Sequence, residues 1–277
     1  MKNHFKVATF NANSIRARLP LVIKWLEREK PDVLCLQETK VQDSEFPSEA
    51  FRNSGYQVVF RGEKARAGAA IASIEKPEEF SFGFPSGYPP DEDRLIRAVI
   101  GGIPIVNTYV PQGQEVESPV FQYKLEWLER LLDFFKKNYK PDEPLIWCGD
   151  FNVAPEEIDV YDPEGLLKNV DFHPEARARL ERRKNVVLWA SFESTIPGKA
   201  GNSPFGIIGC QMASSGILAG ELTTSGQPHL LLKGLLNAGL TARQEKRKGP
   251  PTTPSWLPNL NYKFKFRRNS LSFSRTR

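Results

Sequence analysis

The stretch Pro31-Asp32-Val33-Leu34-Cys35-Leu36-Gln37-Glu38-Thr39-Lys40 decides how the rest of the chain reads. Four apolar residues in a row, Val33 to Leu36, are too few for a helix and too continuous for a half-exposed strand. They read as a strand covered on both faces, as found inside an α/β sheet. Polar groups follow at once, and Glu38 brings a carboxylate. A charge just past a buried strand is costly to place there without a partner. Glu38 is therefore either a solvated loop acid or one part of a site.

Working outward, Leu19 to Lys30 carries apolar residues at Leu19, Val22, Ile23 and Leu26, the period of a helix, and Pro31 stops it. Before it, Phe5 to Phe10 alternates like a strand and ends in the polar loop Asn11-Ala12-Asn13-Ser14. Further strands are predicted at Tyr56–Phe60, Ala69–Ile74, Leu95–Ile100, Ile103–Tyr109 and Leu145–Cys148. A second helix, Phe121 to Tyr139, puts Leu125, Leu128, Leu131, Leu132 and Phe135 on one face. Residues 1–184 thus read as a dense α/β domain.

Four strand ends carry polar groups: Phe10-Asn11-Ala12-Asn13, Leu36-Gln37-Glu38-Thr39-Lys40, Asn107-Thr108-Tyr109-Val110-Pro111-Gln112-Gly113 and Gly149-Asp150-Phe151-Asn152. Two carboxylates, Glu38 and Asp150, with two amides, Asn11 and Asn152, would make a hard, oxygen-rich site. Such a site suits Mg²⁺, which binds one or two carboxylates plus a substrate phosphate. No His/Cys cluster competes for a softer metal. Each residue also has a plainer reading: Asp150 and Asn152 as turn residues bonded to their own backbone, Tyr109 as a half-buried packing residue. The group of four is far more specific than any member.

The same segments resemble the exonuclease III branch of the Mg²⁺-dependent endonuclease/exonuclease/phosphatase superfamily, the apurinic/apyrimidinic (AP) endonucleases. Pro31–Lys40, Tyr109–Gly113 and Gly149–Pro155 carry the likeness, with Arg66–Ile71 and Gly83–Pro85, and it spans about residues 5–184. The resemblance implies an α/β four-layer sandwich, two mixed β-sheets flanked by helices, with the second sheet drawn largely from the C-terminal half and so incomplete here. It implies that Glu38 binds Mg²⁺ (or Mn²⁺ in its place) with Asn11 beside it. Asp150 would orient or deprotonate the attacking water, Asn152 and Tyr109 would hold the scissile phosphate, and Lys40 and Gln112 would contact DNA. The implied reaction is hydrolysis of the phosphodiester 5′ to an abasic site in base excision repair, with 3′→5′ exonuclease and 3′-phosphatase activities. The implied partner is double-stranded DNA with abasic sites or 3′ ends, met by a monomer away from any membrane.

After about Lys184 the texture changes. Residues 185–277 carry 12 basic and 3 acidic residues, whereas the other 184 carry 26 basic and 30 acidic. No Asp follows Asp171, and the histidines are His4, His173 and His229. The family's later Trp-Asp-Tyr, Gly-Trp-Arg-Ile-Asp and Ser-Asp-His segments are missing, and with them the Asp and His that act on the phosphate. Back-translation one base earlier restores them. Residues 202–209 then permit Phe-Thr-Phe-Trp-Asp-Tyr-Arg, 218–225 permit Gly-Trp-Arg-Ile-Asp-Tyr-Ile, and 249–254 permit Pro-Ser-Asp-His-Thr. All lie in one shifted frame and in the family's order, as does Met-Gly-Phe-Val from 188–192.

The expectation is thus an N-terminal family domain over 1–184, joined to an aberrant, disordered basic tail over 185–277 that is read out of frame and disables the enzyme. Leu230–Leu236 reads as a short helix, Tyr262–Phe266 as a strand, and Gly249–Pro258, with four prolines, as irregular. Two other functions are weighed. One is a phosphoesterase of the same superfamily acting on a substrate other than DNA; the Tyr109–Gly113 segment and Glu38-Thr39-Lys40 argue against it. The other is a non-catalytic DNA-binding protein whose basic tail contacts phosphates. Three scattered cysteines (Cys35, Cys148, Cys210) indicate neither a disulfide framework nor a zinc site. With no long apolar run or secretory leader, the expected compartment is the cytosol.

Overall fold

The computed structural model describes residues 4–86, 89–140, 145–160 and 162–182, with six strand segments between residues 190 and 266. The elements are β1 (His4–Asn11), α1 (Ile15–Glu29), β2 (Val33–Gln37), α2 (Ser48–Asn53), β3 (Gln57–Arg61), β4 (Ala69–Ser73), β5 (Glu79–Phe82), β6 (Leu95–Ile100), β7 (Ile103–Tyr109), α3 (Pro119–Asn138), β8 (Ile146–Asp150) and α4 (Pro174–Glu181). Then come β9 (Ala190–Glu193), β10 (Phe205–Gly206), β11 (Gly216–Thr223), β12 (Leu230–Leu232), β13 (Leu235–Leu236) and β14 (Tyr262–Phe266).

Two mixed sheets carry the molecule. The first runs β13-β11-β1-β2-β4-β3, with β1 and β2 parallel and β2 and β4 antiparallel. The second runs β5-β6-β7-β8, with only β7 and β8 parallel. A further four-stranded sheet, β10-β9-β14-β12, is formed by the late segments.

Strand alternation sorts side chains into layers. Val7, Val33, Cys35 and Ile71 of the first sheet meet Ile96, Ala98, Ile105 and Cys148 of the second. This inner layer is narrow, and the Cys35 and Cys148 sulfurs lie 3.1 Å apart across it. The other face of the first sheet, through Ala8, Phe10, Leu34 and Leu36, packs on Val22, Trp25 and Leu26 of α1. The other face of the second, through Val106 and Trp147, packs on Leu128, Leu131 and Phe135 of α3. Helix, sheet, sheet, helix is the expected four-layer sandwich. Each large apolar side chain buried this way contributes about 1.5–3 kcal/mol.

The sequence reading is corrected in several places. Among the described residues, the strands of the second sheet, β5 to β8, all lie within 79–150 rather than in the C-terminal half. α1 starts at Ile15 rather than Leu19, since Arg16 and Arg18 interrupt the apolar period while the Ile15 N–H is held by the Thr39 carbonyl at 2.9 Å. Leu230–Leu236 is two strands, β12 paired with β14 and β13 with β11, not a helix. A run of leucines has no period to separate the two structures, and a strand partner decides. Tyr262–Phe266 is a strand as expected. β11, for which no strand was expected, lies antiparallel beside β1. The remainder of 185–277, including Gly249–Pro258, lies outside the described residues. No helix among the described residues is long and apolar enough to cross a membrane.

Candidate functional site

The site lies where β1 and β2 of the first sheet and β7 and β8 of the second end together. Glu38 follows β2 with φ +50°, and Lys40 has φ +54°. This turn sends the Glu38 and Thr39 carbonyls to the N–H groups of Ser14 (2.8 Å) and Ile15 (2.9 Å), so the loops after β1 and β2 run side by side. Asn13, Ser14 and Asn152 are also left-handed. Each such residue costs about 1–2 kcal/mol, and strain of this kind collects at functional sites.

The Asn11 amide joins the two sheets. Its Nδ2 donates to Glu38 Oε1 at 2.8 Å and to Asp150 Oδ2 at 2.7 Å. Its Oδ1 accepts from the Asn13 N–H at 3.0 Å. Asp150 Oδ1 accepts from the Asn152 N–H at 3.1 Å, and Asn152 Nδ2 donates to the Val110 carbonyl at 2.8 Å. Lys40 Nζ pairs with Glu38 Oε2 at 2.8 Å and donates to Asn13 Oδ1. The Tyr109 hydroxyl hydrogen-bonds to Glu38. Five of the seven predicted residues (Asn11, Glu38, Tyr109, Asp150 and Asn152) thus form one constellation, and Lys40 borders it. Gln112 stands apart on an exposed loop.

The two carboxyls have different proton affinities. Burial pushes Glu38 up, but the donors Asn11 and Lys40 outweigh it and hold the carboxyl below its ordinary value. Burial pushes Asp150 up as well; the Asn11 and Asn152 donors only partly offset it, the charge on Glu38 adds to it, and the net shift is upward. Carboxyls driven apart in this way separate into a standing anion and a proton acceptor. Burial and the Glu38 charge raise the Tyr109 phenol far beyond its usual value, so it stays a neutral donor.

Underneath, a buried polar network pins the sheets together. Asn107 Nδ2 donates to the Leu36 and Ala70 carbonyls, each at 2.9 Å, and its Oδ1 accepts from Gln37 Nε2 at 2.7 Å. Asn107→Ala is expected to lower the unfolding free energy by about 2–4 kcal/mol, because it leaves one Gln37 N–H without an acceptor and the Leu36 and Ala70 carbonyls without this donor. Urea denaturation checks this. At Gly149 a Cβ would stand 1.9 Å from the Thr108 carbonyl oxygen, so only glycine lets β8 come this close to β7 and set Asp150 beside Tyr109.

Residues 8–213 match the sequence pattern of the endonuclease/exonuclease/phosphatase family. The chain belongs to that family. Exodeoxyribonuclease III of Haemophilus influenzae is 30% identical over 203 residues, which span 69% of this chain and 76% of that protein. An AP endonuclease structure from Archaeoglobus fulgidus matches with TM-score 0.62 and 50% identity, covering 70% of this chain and 80% of that one. A 3′-5′ exonuclease from Neisseria meningitidis matches with TM-score 0.60 and 30% identity, covering 68% and 79%. Within the endonuclease/exonuclease/phosphatase family, the chain is therefore an exodeoxyribonuclease III/AP endonuclease-like nuclease.

Three residues of this family member were not singled out from sequence as site residues. Asn107 lay inside a quoted segment but read as strand. Arg94, whose guanidinium lies 4.8 Å from the centre of the Tyr109 ring and donates to its carbonyl, carries no sequence signal of its own. Lys124 had a signal: it sits on the apolar face of α3 between Phe121 and Leu128. His173 caps α4 through the Glu175 N–H and packs its ring on Phe121.

Proposed function

We propose that residues 1–184 carry the metal-binding and water-activating half of a Mg²⁺-dependent DNA phosphodiesterase acting at abasic sites and 3′ ends in base excision repair. The observation that carries this reading is the Asn11 amide bonded to both Glu38 and Asp150. It draws two carboxylates from separate sheets to one point. The donor set is all oxygen, which fits Mg²⁺, and Glu38 already attracts a cation, the Lys40 ammonium. Glu38 would hold the ion, with Asn11 fixing its carboxylate. Bound there, the ion would supply charge neutralisation to the phosphate.

The remaining work falls to this chain's own groups. Asp150, with its raised proton affinity, takes the proton of the attacking water. The Val110 carbonyl holds one hydrogen of the Asn152 amide, and the other would be offered to a phosphate oxygen. Tyr109 offers a neutral O–H to the developing charge. Lys40 and the exposed Gln112 meet the DNA backbone at the rim. The Asp and His that complete the reaction in the family are absent from 185–277 because that stretch is read in the neighbouring frame, so turnover by this chain is slow.

Incubating the chain with Mg²⁺ and a labelled duplex containing one abasic site tests the reading. Slow incision 5′ to the site is expected, lost with a chelator and in Glu38→Ala. Incision that persists in Glu38→Ala, or preference for an inositol phosphate over the duplex, would overturn it.

A further inference from the structure

The Lys124 ammonium is wholly buried in α3, yet it is not used by the chemistry above. Its Nζ donates to the carbonyls of Gln112 at 3.0 Å, Asn152 at 2.5 Å and Val170 at 2.8 Å, and pairs with Asp171 Oδ1 at 3.1 Å. A buried ammonium is weak support for stability, because desolvation offsets much of what its partners return. Apolar residues fill the rest of this helix face, and a leucine or methionine there would avoid the desolvation but leave the three carbonyls and Asp171 without their donor.

The identity of the acceptors says what the charge accomplishes. Asn152 and Gln112 are the residues assigned above to the phosphate and to DNA. Asp171 closes the circuit, since its carboxylate accepts from the Gln112 side chain as well. Asn152 holds a left-handed backbone while its N–H reaches back to Asp150, and the pull of Lys124 on its carbonyl fixes the peptide on the other side. The Gln112 loop is pressed onto the lysine stem: a Cβ at position 113 would lie 3.1 Å from Lys124 Cδ.

We propose that Lys124 is a positioning residue, which locks the phosphate-binding loop of Asn152 and the DNA-contacting loop of Gln112 into one fixed relation. The assignment rests on the nuclease reading for its catalytic consequence and on geometry alone for the locking. It predicts that the lysine acts on the loops together, without touching substrate.

The test compares the full chain with Lys124→Met, which keeps the stem and removes the donors, with Lys124→Arg, which restores charge and donors, and with Asp171→Asn. Amide hydrogen exchange is read in residues 110–114, 150–154 and, as reference, 33–37. Lys124→Met is expected to speed exchange about tenfold or more in both loops and to leave 33–37 unchanged. Incision of the abasic duplex should fall about tenfold to a hundredfold in kcat, with KM within about threefold. Lys124→Arg should recover at least about a third of kcat. Asp171→Asn should loosen 110–114 alone, and it keeps the test open should Lys124→Met not fold. Unchanged exchange in both loops, or a uniform rise across the chain, overturns the proposal. Absence of incision even after the shifted frame is restored downstream of codon 184 would count against the nuclease reading, and the exchange comparison would still decide the role of Lys124.

Discussion

Inserting one base near codon 184, so that everything downstream is read one base earlier, is expected to raise incision of an abasic duplex by about 10²–10⁴-fold. That is the range by which a positioned acid or base accelerates proton transfer. The chain as it stands brings a carboxylate pair, two amides and a phenol together, and its sequence has no Asp beyond Asp171 and no Ser-Asp-His segment. The shifted frame permits Trp-Asp-Tyr, Gly-Trp-Arg-Ile-Asp and Ser-Asp-His, which would add an imidazole for the phosphate and a carboxylate to orient it. The insertion also changes a segment that now carries 12 basic and only 3 acidic residues. That basicity is therefore no argument for DNA binding. Incision unchanged by the insertion would show that the tail is as effective as the family's own. Sequencing codons 180–190 makes the same decision at the level of the gene.

Asp150→Asn, made in the frame-restored protein, is expected to lower kcat about 10³-fold with little change in KM. The amide keeps the shape of the side chain and cannot accept a proton. The same substitution should stabilise the chain as it stands, in metal-free buffer at neutral pH. Burial, only partly offset by the Asn11 and Asn152 donors and reinforced by the charge on Glu38, raises the Asp150 pKa in the folded state. A carboxyl that binds its proton more tightly folded than unfolded costs stability once both states are ionised. The cost is complete above the folded pKa and disappears below the unfolded value of about 3.9. The variant's higher unfolding midpoint should therefore be present at pH 7 and shrink as the pH approaches about 4. Calorimetry at both pH values checks this, and a wild-type chain as stable as the variant at pH 7 would contradict it. Loss of turnover with gain of stability is the trade expected of a strained, desolvated centre.

How far this was legible in the sequence depended on the range of the forces involved. The inner strand β2 was readable because Val33–Leu36 is apolar enough to specify burial by itself. The five residues that come together were readable as a candidate group because strand ends of one sandwich converge, so Asn11, Glu38, Tyr109, Asp150 and Asn152 needed only their strands to be found. The bond between Asn11 and Asp150, 139 positions apart, was not readable, because it depends on the distance between sheets. Arg94 was invisible for the same reason, since it sits in the turn before β6 and its partner is the face of the Tyr109 ring at the end of β7. Lys124 was the missed opportunity: a lone cation on a face of leucines and phenylalanines announces either an error of assignment or a buried set of acceptors. The strands β12 and β13 were misread because five leucines encode no periodicity, and only a neighbouring chain segment resolves them.

The narrow layer between the sheets has one more consequence. Glu38 hangs from one sheet and Asp150 from the other, so the gap across which they share an amide is set by Val7, Cys35, Ala98, Ile105 and Cys148. These side chains act as shims. Adding or removing a single methyl group among them changes the spacing of the chemistry several residues away without altering any group that performs it. Rate can therefore be adjusted, by drift or by design, from the driest part of the protein.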